Sequence, residues 1–447
     1  MNNTLLNFSA LLLSVAIIVG STLFLPNIEI GFGFVFLAFL IIIFSLIFYR
    51  KTEDSIWFLV LGLKLSITAL ISFVFIQHPL VEIDSLRTSI QDSRLQDSNY
   101  YDYVAFELFH EGLNVNNFYK LFSTWSSFGV ILHNYVIYVL FGPSYSNIFI
   151  INSIYSLLGA YFIHKIFLLK NIYSKYTPFV CCLPLICYYD ATPSKETLTF
   201  LFISSTLYLY IKSLHTKKMN FSFFALSVLG LTFIRPNLSV LVLIFIFLVS
   251  ILNKVNYKSL IIQLVVLSVS IFLLNNILGI QNLIAAYFDL NNVLEMKSLG
   301  NNLVVDSGIK STIINLFDSR DLKSLILYAP IRGLIWLLLP FPFVYLNFFD
   351  LLYNNDYMFF YQKSYHIIRS LNIIILIYSL YKGLYLNRIK KIFKRFKIEL
   401  FFILFFTVIV SSFSFSNSSR YRILIEPIMV SIFASQVNSK TKYKSST

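Results

Sequence analysis

Long apolar stretches constrain this chain more than any other feature of its sequence. A helix that crosses a bilayer needs about 20 mostly apolar residues. Only 13% of the 447 residues are charged, whereas a soluble domain carries about 25%. We therefore expect an all-α, polytopic integral membrane protein with about 11–13 transmembrane helices. The apolar runs lie near residues 8–26, 31–49, 55–76, 127–142, 147–168, 177–189, 197–213, 220–234, 237–253, 259–278, 326–346, 366–385, 398–415 and 421–437.

Clusters of Lys and Arg predict which ends of these helices face the cytoplasm. The segment 382–397 contains seven basic residues and no acid, which is typical of a cytoplasmic loop. Together with four shorter segments it holds 17 of the 35 basic residues; the others are Arg50-Lys51, 212–218, 254–258 and 440–444. This distribution explains the net charge of +14 without a nucleic-acid partner, so none is expected.

Two long connections have the opposite character. Residues 78–126 carry seven acids against three bases, and residues 279–325 are nearly balanced. We expect both to be external loops of a single transmembrane domain over 1–447. Strict alternation of spans then conflicts with a cytoplasmic position for Lys165, Lys170 and Lys175, and a similar conflict arises between 326–346 and 366–385. We therefore expect that one helix near 127–189 and one near 326–385 do not cross the membrane fully. The sequence leaves open which helices these are.

Four cations fall at the predicted external ends of helices, against the usual charge bias: Lys195, Arg235, Arg420 and Arg422. A lipid phosphate or pyrophosphate would explain them, because guanidinium groups match phosphate oxygens in a bidentate manner. For any one of them taken alone, a side chain that anchors a helix end by extending to the interface is the favoured explanation. Their number favours the phosphate-binding interpretation.

Local structure explains the residues around Lys195, although not Lys195 itself, and offers a second explanation for Arg422. Thr192 fits the N-cap of a helix whose first residue is Pro193 and whose first turn contains Glu196. Glu426 lies four residues after Arg422, which is the spacing of an ion pair within one helix. Both explanations stay open beside phosphate binding.

The acidic loop contains the candidates for chemistry. The segment 97–112 has helical spacing, with Tyr101, Val104, Ala105 and Leu108 on one apolar face, and we expect it to lie on the outer membrane surface. Asp97 would begin this helix. An Asp at that position is either an N-cap or a general base that takes a proton from an acceptor hydroxyl.

At this point the chain resembles glycosyltransferases of the GT-C class, in which an Asp precedes a Tyr and an Ala on a juxtamembrane helix of the first large external loop. The resemblance covers roughly residues 80–435. It rests on Asp97-x-x-x-Tyr101-x-x-x-Ala105 with Gly112, Phe141-Gly142, Asn152, Ser194-Lys195-Glu196, Arg235-Pro236, and Arg420-Tyr421-Arg422 with Pro427.

The resemblance implies transfer of a sugar or oligosaccharide from a polyprenyl-phosphate or polyprenyl-diphosphate carrier at the external face of the bacterial inner membrane. Asp97 would be the catalytic base. The carrier phosphate would be held by Arg420 and Arg422, with Lys195, Glu196 or Arg235 beside them. Two spans precede the catalytic loop where the simplest family pattern has one, and Ser98 stands where many relatives have a second acid. These departures leave three other acids open as the base: Asp84, Asp92 and Asp102.

Repeat-unit polymerases of O-antigen and capsule synthesis resemble the same architecture, and the prominent external Arg favours a polymerase over a single-sugar transferase. Other polysaccharide-assembly membrane proteins would be partners, together with membrane lipid. A lipid-oligosaccharide flippase is the main alternative, although internal repeats are absent and ionisable residues cluster at predicted helix ends. We expect no cofactor, with a divalent metal left open. The three cysteines within 181–187 are expected to be buried thiols.

Overall fold

The computed structural model describes an all-helical protein. Its described residues are 2–24, 32–52, 54–72, 97–114, 128–172, 174, 176–218, 220–253, 265, 333, 337, 357–385, 389–413 and 422–434, and no strand occurs among them. The helices are α1 (Asn2–Phe24), α2 (Phe32–Thr52), α3 (Ile56–Ile71), α4 (Asp97–Glu111), α5 (Phe128–Phe141), α6 (Tyr145–Leu169), a 3₁₀ helix (Thr177–Cys182), α7 (Pro184–Asp190), α8 (Glu196–Thr216), α9 (Phe221–Ile234), α10 (Pro236–Leu252), α11 (Tyr357–Tyr385), α12 (Ile389–Arg395), α13 (Lys397–Phe413) and α14 (Arg422–Ala434).

Two of these helices are long and apolar enough to cross a membrane by length and composition. They are Ser146–Leu169 within α6 and Glu196–Thr216, which is α8. Six shorter apolar helices of 10–17 residues accompany them in the described part of the chain, one within each of α1, α2, α3, α5, α9 and α10. Except for single positions, the predicted spans at 259–278 and 326–346 and the loop at 279–325 lie outside the described residues.

The apolar run at 177–189 forms two short helices. Leu183 between them has an extended backbone, with φ −57° and ψ 134°. Pro184 follows it, and the residue before a proline is disfavoured in the helical region. This broken segment packs against α3, α6, α8, α11 and α14. It therefore lies inside the helical bundle, where Cys181 and Cys187 are buried as expected and Cys182 is half-buried.

Helices α6 and α8 pack side by side, and a glycine sets how closely they approach. A Cβ added at Gly159 of α6 would lie 2.6 Å from the ring of Phe200 on α8. Ser156, one turn earlier on α6, contacts the residue that ends α7. That residue, Asp190, also accepts a hydrogen bond from Thr197 at the start of α8. Ser156 lies 11 residues after the first residue of α6, so α8 begins about 16 Å along α6 from its N-terminal end, which we call the top of α6.

The predicted amphipathic helix after residue 97 is confirmed as α4. Its residues Tyr101, Ala105 and Leu108 are buried, and Val104 packs beside them. They contact apolar side chains of α5 that include Ile131. The hydrophobic spacing in the sequence thus identified the buried face of this helix.

The end of α6 meets the basic segment 382–397, whose described residues are mainly helical. Lys170 donates a hydrogen bond to the carbonyl of Arg395 at 2.8 Å and pairs with Glu399 at 2.7 Å. Lys382 lies 4.7 Å from the ring centroid of Tyr176. Two regions that the sequence assigned to the same face of a membrane are therefore neighbours at one end of the bundle.

Candidate functional site

The start of α8 and the corner between α9 and α10 are joined by an ion pair. Glu196 is the first residue of α8, and its carboxylate accepts a hydrogen bond from the guanidinium of Arg235. Arg235 occupies the corner because Pro236 follows it and begins α10 as a first-turn proline. The side chains are only 9% and 4% exposed, so the two charges are largely removed from solvent.

The expected helix start at Pro193 is wrong by three residues. Thr192 does not cap α8, because its hydroxyl donates to the carbonyl of Tyr189 at 3.0 Å, and Ser194 donates to the same carbonyl at 3.1 Å. These bonds form a turn after α7, so the next helix begins only at Glu196. Glu196 nevertheless lies in the first turn of α8 as predicted, where a negative charge is favoured.

Lys195 connects this turn to α4. It occupies the N-cap position of α8, and its ammonium lies 5.3 Å from the ring centroid of Tyr101. A cation over an aromatic face is attracted by the electron density of the ring. The contact places α4 beside the Glu196–Arg235 pair, so three of the predicted site residues lie in one region.

The two candidate bases of α4 have different positions. Asp97 is the first residue of the helix, one turn before Tyr101, and its side chain lies outside the described residues. Asp102 is fully buried, and its carboxylate accepts a hydrogen bond from the hydroxyl of Tyr138 on α5. Asp102 therefore holds α4 against α5. Its carboxylate is enclosed by the protein and does not reach the surface, where the hydroxyl of an acceptor sugar would lie. Asp84 and Asp92 lie outside the described residues.

The exposed side of α4 is polar and acidic. Tyr103 donates a hydrogen bond to Glu107, which raises the pKa of the Tyr103 phenol. Glu107, His110 and Glu111 are exposed at the end of the helix. One side of α4 thus packs on α5 while the other presents carboxylates and a phenol.

A second ion pair, which the sequence did not predict, lies below this region. Lys64 in the middle of α3 pairs with Asp190 at the end of α7, and both side chains are 0% exposed. Asp190 also accepts hydrogen bonds from Ser156 at 2.7 Å and Thr197 at 2.6 Å. The lysine donates to the carbonyl of Cys181 at 2.6 Å. The expectation that ionisable residues cluster at helix ends is therefore wrong for Lys64.

The turn between α7 and α8 links the two ion pairs. Thr197, which binds Asp190, directly follows Glu196 of the upper pair. Asn152 of α6 donates to the backbone carbonyls of Asp190 and Thr192, at 3.3 and 3.1 Å. The side-chain amide of Asn152 thus holds the backbone of a turn that carries charged groups on both sides.

Arg422 belongs to a separate set of contacts. It is 0% exposed, donates to the carbonyl of Leu337 at 3.2 Å, and lies 3.9 Å from Glu426, four residues later on α14. Glu426 also accepts a hydrogen bond from Asn372 of α11, whose side-chain oxygen accepts from the backbone N–H of Leu185 at 3.4 Å. The intrahelical pairing predicted for Arg422 is present. Arg420 lies outside the described residues.

Sequence signals for the missed residues exist but are weak. A charged residue inside an apolar span indicates a functional or paired group by default, and this identifies Lys64 within the run 55–76. It does not identify Asp190 as its partner, because the two residues lie 126 positions apart. Among the described residues, no group of three or more His, Cys, Asp or Glu side chains could hold a metal ion.

In the part of the chain that the structure describes, the fold is all-helical, two helices are able by length and composition to cross a membrane, and ion pairs are buried between helices. Comparison with protein-family models, curated proteins and solved structures gives no match to this chain.

Proposed function

We propose that this chain is a polytopic glycosyltransferase of the bacterial inner membrane that assembles surface polysaccharide at the external face. It would transfer a sugar or oligosaccharide from a polyprenyl-phosphate or polyprenyl-diphosphate carrier, acting as a repeat-unit polymerase of O-antigen or capsule. The observation that supports this most is the position of α4. Its N-terminal end carries Asp97, and Tyr101 one turn later contacts Lys195 beside the Glu196–Arg235 pair.

The proposed chemistry needs an acid and cations within one region. The acceptor hydroxyl attacks the anomeric carbon of the donor sugar, and the bond from that carbon to the carrier phosphate breaks. The phosphate leaves with the electron pair, while Asp97 takes the proton of the hydroxyl. Lys195 offers an ammonium to the leaving phosphate, and Arg420 is a second proposed phosphate ligand. Arg235, which pairs with Glu196, positions the start of α8.

The depth of the region suits a lipid-linked substrate. The start of α8 lies about 16 Å below the top of α6, so Lys195 and Arg235 would lie in a recess of the outer half of the membrane. In this placement α5, with 14 residues, is the helix in the region 127–189 that does not cross fully. Lys170 then lies on the cytoplasmic side with segment 382–397, in agreement with its contact to Glu399.

Two alternatives remain, and one has an observation in its favour. A transferase that adds a single sugar from a polyprenyl-phosphate sugar would use the same residues. A lipid-linked oligosaccharide flippase is favoured by the Lys64–Asp190 pair, because charged pairs buried between membrane helices are characteristic of transport pathways.

Complementation of a strain that lacks the gene tests the site. We expect Asp97→Asn to reduce chain extension by about 100-fold or more, as for the loss of a general base, and Arg420→Ala to abolish it. Both proteins should remain in the membrane fraction at the wild-type level. Lys212→Gln, at the opposite, exposed end of α8, is the matched control and should extend chains normally. Wild-type extension by both site variants would overturn the assignment, and flipping by the purified protein in vesicles without elongation would favour the flippase.

A further inference from the structure

The outer side of α11 carries a continuous exposed stripe whose chemistry changes along the helix. Leu371 and Ile374 are exposed first, and Tyr378, Tyr381 and Tyr385 follow. Their exposed fractions are 49%, 44%, 62%, 61% and 74%. The spacing of three and four residues places all five on one side of the helix, over a length of about 21 Å.

Beyond Tyr385 the sequence is basic, and we call the segment formed by α12 and the start of α13 the basic elbow (residues 389–397). Lys394, Arg395 and Lys397 are exposed there, and the aromatic ring of Phe393 is 59% exposed beside them. No acidic residue occurs between positions 382 and 398. The outward surface of the elbow is therefore cationic and partly aromatic.

The elbow is fixed to the bundle from its inner side. Ile392 is 2% exposed and Phe396 is 0% exposed, with the Phe396 ring 4.9 Å from the ring of Phe167 on α6. Lys170 at the end of α6 donates hydrogen bonds to the Arg395 carbonyl and to Glu399, which connects the elbow to α6. Glu399 is the nearest acid along the chain, and its charge is used by Lys170. It does not neutralise the exposed bases.

Aliphatic side chains, then tyrosines, then Lys and Arg follow the order of a phospholipid leaflet from hydrocarbon to interface to head group. We propose that the stripe lies against the acyl chains of one leaflet and that the basic elbow binds its anionic phospholipid head groups. A soluble acidic partner would not need the aliphatic and tyrosine residues that lead up to the bases. The proposal concerns the end of the protein opposite to the proposed transferase site and does not depend on sugar transfer.

Native mass spectrometry of the full-length, delipidated protein in detergent tests the proposal. The probes are phosphatidylglycerol, which is anionic, and phosphatidylcholine, which has no net charge. A base near an anionic surface strengthens binding by about fivefold, so the triple variant Lys394→Gln/Arg395→Gln/Lys397→Gln should lose about 100-fold in affinity for phosphatidylglycerol. Binding of phosphatidylcholine should stay unchanged.

The matched control removes three exposed bases from the end of α8, Lys212→Gln/Lys217→Gln/Lys218→Gln. This variant has the same net charge as the elbow variant, and its affinity for phosphatidylglycerol should stay close to wild type. Equal losses in the two variants would overturn the elbow as the site, as would equal affinity of the wild type for both lipids. Displacement of the lipid by equimolar inorganic phosphate would identify a phosphate site and overturn the lipid assignment. Retention of chain extension by the elbow variant would leave the proposed function intact and separate the two proposals.

Discussion

Separate removal of the two charges in the Lys64–Asp190 pair should destabilise the protein strongly, while removal of both should cost much less than the sum. Both side chains are 0% exposed, so neither charge can be rehydrated when its partner is lost. Removing one member of a buried ion pair costs about 3–5 kcal/mol. We therefore expect Lys64→Met and Asp190→Asn each to lower the free energy of unfolding by this amount.

The remaining contacts of the pair set the expected value for the double variant. Asparagine at position 190 keeps an oxygen that accepts from Ser156 or Thr197, and methionine at position 64 fills the space of the lysine stem without a charge. The carbonyl of Cys181 loses its donor, at a cost of about 1–3 kcal/mol. The double variant should then be destabilised by about that amount, against about 6–10 kcal/mol for an additive pair.

Unfolding of the purified protein in detergent micelles, followed by tryptophan fluorescence during a denaturant titration, measures these free energies. Lys212→Met, on an exposed part of α8, is the control and should change stability by no more than about 0.5 kcal/mol. Additive losses in the double variant would refute the ion pair. Losses below about 1 kcal/mol in the single variants would refute burial of the two charges.

Two further predictions concern close helix contacts. Gly159→Ala should lower stability by about 1–3 kcal/mol, because its methyl group meets the Phe200 ring. Adding Phe200→Leu to the same chain should recover part of that stability in thermal unfolding. The absence of any recovery would contradict the contact. Gly129→Ala should lower stability by at least as much, because a Cβ would lie 2.3 Å from the backbone carbonyl oxygen of Phe233. Adding Phe233→Leu should restore no stability in the same assay, since the backbone is the obstacle. A recovery would show that the side chain is the obstacle.

Features that depend on local spacing were predictable from the sequence. The apolar face of α4 follows from residues three and four positions apart, and the structure confirms it with Tyr101, Ala105 and Leu108. The pairing of Arg422 with Glu426 follows from the same periodicity. Both features are set by spacing within a single helix, where sequence separation fixes spatial separation.

Contacts between helices were not predictable in the same way. Arg235 pairs with Glu196 across 39 positions, and Asn372 contacts Glu426 across 54. Spacing carries no information at these separations, because the packing of the intervening helices decides which residues meet. The start of α8 was misplaced for a different, local reason: the hydroxyl of Thr192 donates to a carbonyl of α7 three residues earlier instead of capping the next helix.

Deletion of the gene followed by gel analysis of surface polysaccharide tests the central claim most directly. We expect long chains to disappear while a single repeat unit remains attached to its lipid anchor. Truncated repeat units would indicate the single-sugar transferase. An unchanged polysaccharide profile would contradict any transferase role in its assembly.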